Sequence, residues 1–174
     1  MNKLIIVLSV VCFIFTTSCK KDNNANNFDS NLTNGRCRVF CTINGAVTMD
    51  YASQDVNSFS AYNAVFMALA PDFRNTSSGE RAIMEILIPI STTPGSYNLT
   101  DAGAPNISFT FTKDNMYSGT GNSWKAIVGS NMTFVLTKSS YTELEGTFSG
   151  TAVSDADGST VTITNGKFKT VFTH

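Results

Sequence analysis

The sequence predicts an all-β domain, an antiparallel β-sandwich or partly closed barrel of about 8–10 strands. Three observations carry this. From Arg36 onward apolar and polar residues alternate with a period of two rather than 3.6. Turn dipeptides interrupt the alternation roughly every eight to twelve residues. Thr, Ser, Asn and Gly fill the polar positions, while charged residues make up only 14%, well below the roughly 25% of an average soluble domain.

The elements follow in order. Val39, Cys41 and Ile43 fall on one face of a first strand, and Asn44-Gly45 supplies a hairpin turn because both residues tolerate positive φ. Val47-Thr48-Met49-Asp50-Tyr51 returns. The segment SAYNAVFMALA (60–70) is ambiguous, since Tyr62, Phe66 and Leu69 would also line a helix face; the β-rich context favours a strand. Ala82, Met84, Ile86, Ile88 and Ile90 alternate cleanly, Thr93-Pro94-Gly95 forces a turn, and Tyr97 and Leu99 follow. Ile107-Phe109-Phe111, Met132-Phe134-Leu136 and Phe148-Gly150-Ala152 continue the series. After a loop at 154–158, Val161 and Ile163 form one strand and 168–172 another, with a second Asn-Gly turn at 165–166 between them.

The first 35 of the 174 residues read differently. Lys3 gives a basic start, residues 4–15 (LIIVLSVVCFIF) are apolar except for Ser9, and Thr16-Thr17-Ser18-Cys19 follows. The apolar run is about half of the roughly 20 residues a transmembrane helix needs, so residues 1–18 read as a secretory signal peptide. A small residue directly before a cysteine at the end of such a run is the pattern that lipoprotein processing reads, and Ser18-Cys19 resembles that lipobox. Cys19 is therefore the expected lipidation site, and an acylated cysteine bearing several chains anchors stably where one chain is marginal. Residues 20–35 (KKDNNANNFDSNLTNG) hold one Phe and one Leu among polar residues, too little apolar surface to offset the entropy of ordering. Residues 19–35 are thus expected to be a flexible stalk, up to about 50 Å long if extended at roughly 3.3 Å per residue. Residues 36–174 form a single domain of ordinary size, and with 42% hydrophobic residues and 13 Phe the chain has the apolar surface for one core.

TTPGSYNL (92–99), EGTFSGTA (145–152) and GSTVTITNGKF (158–168) resemble recurring segments of a family of uncharacterised β-rich lipoproteins of the Bacteroidota. That family combines a lipobox with a CxxNG-like opening, a T-x-G-x-Y-x-L middle and a GTFS…TxTNGxF ending. The Thr16 position departs from the Leu of the commonest lipobox, whereas Ser-Cys followed by Lys20-Lys21-Asp22 is similar to the looser form of this group. The resemblance implies export to the outer membrane, with display at the cell surface, and carries no activity with it.

Motifs for catalysis are sparse. The sole His is residue 174, at a chain end, so a Ser-His-Asp or Cys-His site is not expected. In the domain, only Cys37 and Cys41 could supply thiolates to a metal. On a continuous strand their Cα atoms stand about 13 Å apart, beyond the roughly 7 Å reach of a disulfide, so two separate thiols are expected unless the segment before Val39 curls into a turn. Asp155-Ala156-Asp157-Gly158 echoes a calcium loop, but its twelfth position is Gly166 where a bidentate Glu is needed; a plain hairpin loop accounts for it. Glu143 and Glu145 share a strand face about 7 Å apart, the nearest thing to the carboxylate pair of a hydrolase. Trp124, with Tyr117 and Tyr141, is the candidate ligand contact, because aromatic faces stack on sugar rings; a Trp that simply fills the core is the simpler alternative. Removing residues 1–18 takes Lys3 and no acid, leaving 11 basic against 13 acidic residues. This balance removes the electrostatic basis for nucleic-acid binding. The expectation is a non-enzymatic envelope lipoprotein without metal or cofactor, attached to the membrane through Cys19, with a binding or structural β domain. Its alternative is a glycan-binding accessory protein of an outer-membrane uptake system, with a protein as the other ligand class; a carboxylate-only hydrolase is the third.

Overall fold

The computed structural model describes residue 32 and residues 36–45, 47–52, 59–62, 66–70, 72–74 and 76–172. The signal peptide, Cys19, nearly all of the stalk and His174 lie outside the described residues. Among those described, every regular element is a strand: β1 (Arg36–Ile43), β2 (Val47–Ala52), β3 (Phe59–Tyr62), β4 (Phe66–Ala70), β5 (Asp72–Arg74), β6 (Glu80–Pro89), β7 (Gly95–Asn98), β8 (Ser108–Asn115), β9 (Gly121–Ala126), β10 (Met132–Ser139), β11 (Glu143–Ser154) and β12 (Thr160–Val171). All belong to one antiparallel sheet, in the order β2-β1-β12-β11-β9-β8-β6-β4-β3. The sheet nearly closes on itself as a barrel. β3 approaches β1, but no ladder among the described residues joins them, so the seam stays unsealed. Of the two predicted architectures the single sheet is the partly closed barrel, not a sandwich of separate sheets.

The described residues form twelve strands, above the predicted range. Residues 59–62 and 66–70 make two antiparallel strands, β3 and β4, where one strand was expected. β5 and β9 lacked the apolar alternation that marks a strand. In the other direction, the second Asn-Gly is no turn: β12 runs straight through it. Phe40 pairs Lys167 and Thr42 pairs Thr164, so Asn165 and Gly166 together stand opposite Cys41. Asn165 adopts φ 55°, which makes this a bulge whose extra residue is absorbed without reversing the chain. Asn44 and Gly45, at φ 52° and 69°, do form the tight turn their sequence predicts.

The sheet forks at β11. One edge of this strand pairs β12 over nearly its whole length; the other pairs β10 as far as Gly150 and then β9 at Val153 and Ser154. β7 hangs on β10 alone. Leu99, which donates its N–H to Met132 O and accepts from Gly129 N, sits in the fork and is fully buried, as is Ile107 at the far end of the same connection.

Alternation fills the interior. Cys37, Val39, Cys41 and Ile43 of β1, Ala82, Met84, Ile86 and Ile88 of β6, and Met132, Phe134 and Leu136 of β10 all point inward and are buried. Four phenylalanines meet at the centre: Phe148 lies 5.4 Å from Phe109, 5.9 Å from Phe134 and 6.1 Å from Phe168 between ring centroids. The outer face of β11 and β12 reads Glu145, Thr147, Ser149 and Thr151, then Thr160, Thr162, Thr164, Lys167 and Lys169.

Two of the segments singled out in the sequence, 145–152 and 158–168, interlock here. Gly146 pairs Phe168, and Phe148 pairs Gly166. A Cβ on Gly146 would stand 2.8 Å from Phe168 Cζ, and one on Gly166 2.7 Å from the Phe148 ring. Each ring thus lies over the glycine of the facing strand, and the GTF and NGKF segments are complementary halves of one packing unit.

Candidate functional site

Trp124 lies on β9 where that strand meets β11. Its register partners are Phe111 on β8 and Ser154 on β11. The indole stacks on Phe111 at 5.5 Å with a 20° interplanar angle, and its Nε1–H donates to Ser159 Oγ at 3.0 Å. It packs against the core while staying half-buried, so one face and the polar edge are both engaged. Asn122, two residues earlier, accepts from Ser154 Oγ at 2.6 Å and donates to the Asp157 carboxylate at 3.3 Å. Ser159 N–H and hydroxyl, together with Ser154 and Asn122, hold Asp157 far below the usual carboxylate range.

Tyr117 belongs to the same end of the barrel, in the β8–β9 turn. Its ring passes over Gly79, where a Cβ would meet it at 2.5 Å, and its hydroxyl donates to Thr76 O. Asn115 Nδ2 donates to Ser78 O and Met116 N to Gly79 O. Arg81 and Asp114 add a two-pronged ion pair. Tyr117 is therefore a clasp between two turns, though still 71% exposed. Tyr141 sits in the β10–β11 turn, exposed, at the opposite end of β11. Twelve residues of strand, about 36 Å, separate it from the Trp124 end. The structure brings Trp124 and Tyr117 to one end and leaves Tyr141 at the other.

The carboxylate pair is occupied. Lys138 Nζ lies 3.0 Å from Glu143 and 3.2 Å from Glu145, and Lys169 Nζ lies 3.3 and 3.5 Å from the same two groups. These four side chains face each other across β10, β11 and β12, where Lys138, Glu145 and Lys169 are direct register partners. Burial disfavours the Glu143 charge, but the hydrogen bonds from Lys138 and Lys169 outweigh it and keep the carboxyl below its ordinary range. Hydrogen bonds to Glu143 and Glu145 raise Lys138 in turn. A glycosidase acid needs the reverse, a carboxyl pushed up by an apolar wall.

Asp155 and Asp157 also answer to protein donors: Lys125 meets Asp155 at 3.1 Å, and Asp157 accepts Ser159 N at 3.0 Å. The segment is a hairpin turn, as its sequence suggests. No group of three metal-binding side chains occurs among the described residues.

Cys37 and Cys41 are both fully buried and form no disulfide with each other. Cys41 Sγ donates to Met84 Sδ at 3.5 Å, and burial pushes its thiol up to about 12. In the native protein at pH 8 these two thiols are expected to resist iodoacetamide, and to react once denaturant is added; mass spectrometry of alkylated peptides reads both states. Labelling of Cys41 in the folded protein at the rate of a model thiol would contradict its burial.

Ser154 and Ser159 were not legible as neighbours of Trp124 and Asn122, because more than 30 residues separate them along the chain and only strand pairing joins them. The chain matches no family model, no curated protein and no solved structure. The likeness to lipoproteins of the Bacteroidota accordingly rests on the sequence segments alone.

Proposed function

We propose that this chain is an envelope lipoprotein, lipid-anchored through Cys19, whose β domain acts as a binding or structural module and not as a catalyst. The observation that carries this reading is Ser18-Cys19 at the end of a short apolar run with a basic start. Lys20-Lys21-Asp22 behind the cysteine supports delivery to the outer membrane and its surface, as the resembling family implies. Three structural features favour a non-catalytic domain. The interior is filled by apolar side chains around a cluster of phenylalanine rings, the Glu143 and Glu145 carboxylates are neutralised by Lys138 and Lys169, and the Trp124 N–H is committed to Ser159. A glycan or protein ligand would meet the end of the barrel that carries Tyr117 and Trp124.

Metabolic labelling with a palmitate analogue in a bacterial host tests the anchor. The wild-type chain is expected to carry label and to fractionate with membranes, and Cys19→Ala to lose both properties. Unchanged membrane fractionation of the variant would refute the proposal.

A further inference from the structure

We propose that the β11–β12 turn is a latch, a polar arm that governs local opening of the barrel wall between β9 and β11. Among the described residues, β9 is the strand that links the β8-β6-β4-β3 half of the sheet to the β11-β12-β1-β2 half. It does so through only two register pairs, Lys125 with Val153 and Trp124 with Ser154. The opposite boundary between the halves is the unsealed seam. Continuity of the wall thus depends on one short ladder.

Side chains supply what the ladder lacks. The turn first fixes itself: Ser154 N donates to Ser159 O at 2.8 Å, Gly158 N to Ser154 O at 3.0 Å, and Ser159 N to Asp157 at 3.0 Å. From that rigid base Ser159 Oγ accepts the Trp124 N–H, Ser154 Oγ donates to Asn122, and Asp157 accepts from the Asn122 amide. The Lys125–Asp155 pair is exposed, and such pairs contribute little. The hydrogen bonds of Trp124 and Asn122 to the turn are the grip. Beneath them, Phe109 against Phe148 and Cys41 against Met84 hold the two halves together across the interior. These contacts make a complete separation costly and confine easy opening to the junction.

Trp124 is the sole tryptophan of the chain and sits on the junction. Native-state hydrogen exchange should find residues 122–126 exchanging faster than the centre of β12 under conditions where the global fold is intact. Ser159→Ala should speed exchange of the 122–126 amides by about three- to tenfold, the effect of one neutral hydrogen bond, and Asn122→Ala, which removes the bonds to both Ser154 and Asp157, by at least as much; both should raise acrylamide quenching of Trp124. The β12 amides should be unaffected. Thr137→Ala, which removes a hydroxyl bonded to Glu145 O on β11 far from the latch, should leave 122–126 unchanged. Wild-type exchange at 122–126 equal to that of β12 would overturn the proposal even if a variant failed to fold. So would a folded Ser159→Ala with unaltered exchange at those amides.

Discussion

Replacing Gly150 by alanine is expected to destabilise the domain by about 3 kcal/mol, since strain at a glycine-only conformation and overpacking each cost roughly 1–3 kcal/mol. Gly150 has φ +147°, a region closed to side chains. A Cβ there would also press on Asn131 O and stand 2.5 Å from Met132 Cα. Those are backbone atoms of the strand that starts the β10 branch, and Met132 is the register partner of Gly150; neither can turn aside as a side chain could. The fork at β11 depends on this close approach. At roughly 4 °C per kcal/mol for a domain of this size, the melting temperature should fall by about 12 °C. Gly45→Ala provides the comparison. Its φ is +69° with nothing within 4 Å of the added Cβ, so only the conformational cost of about 1–2 kcal/mol applies. Melts followed by circular dichroism should separate the two variants clearly, and equal losses would show that the Met132 approach carries no energy.

Truncating Phe148 should cost as much or more, about 3–5 kcal/mol for a buried Phe→Ala change. Its ring is 3% exposed and touches Phe109 on β8, Phe134 on β10 and Phe168 on β12, so one side chain unites three branches of the forked sheet. The same ring covers Gly166, where β12 bulges. Its loss would leave a cavity against a backbone that has no side chain of its own to fill it. Phe148→Leu keeps much of the volume and should lose about half as much. Urea titrations of both variants give the comparison. A Phe148→Ala midpoint close to wild type would mean that the ring cluster is not the centre of the core.

The inward-facing set was largely legible in the sequence, because a period of two states directly which residues share a face. Val39, Cys41, Ile43, Met84, Ile86, Phe109, Phe134 and Ile163 are all buried as the alternation predicts. β9 escaped the same logic: in GNSWKA only Trp124 and Ala126 are apolar, too few to show a rhythm. Asn165-Gly166 misled for a physical reason. The positive φ that suits a hairpin turn also suits a bulge, and local sequence does not tell whether neighbouring strands continue past it. Around Trp124 the limit was distance along the chain. Aromatic chemistry marked the residue, but Ser159 and Ser154 become its surroundings only through a ladder of two pairs. Likewise Glu143 and Glu145 looked available until β10 and β12 placed Lys138 and Lys169 beside them.

The outer wall of threonine, serine, lysine and glutamate has one more consequence. A barrel that crosses lipid turns apolar residues outward and polar ones toward its lumen. Here the order is inverted on β11 and β12, where Phe148, Ala152, Ile163 and Phe168 point in and Thr147, Thr151, Thr162 and Lys167 point out. Placing that wall in hydrocarbon would strip water from its threonine and serine hydroxyls and from Lys167, and each group left unsatisfied costs several kcal/mol. These strands are built to be wet on the outside. If the chain is held at a membrane, the wall formed by β11 and β12 is not the part that enters the lipid.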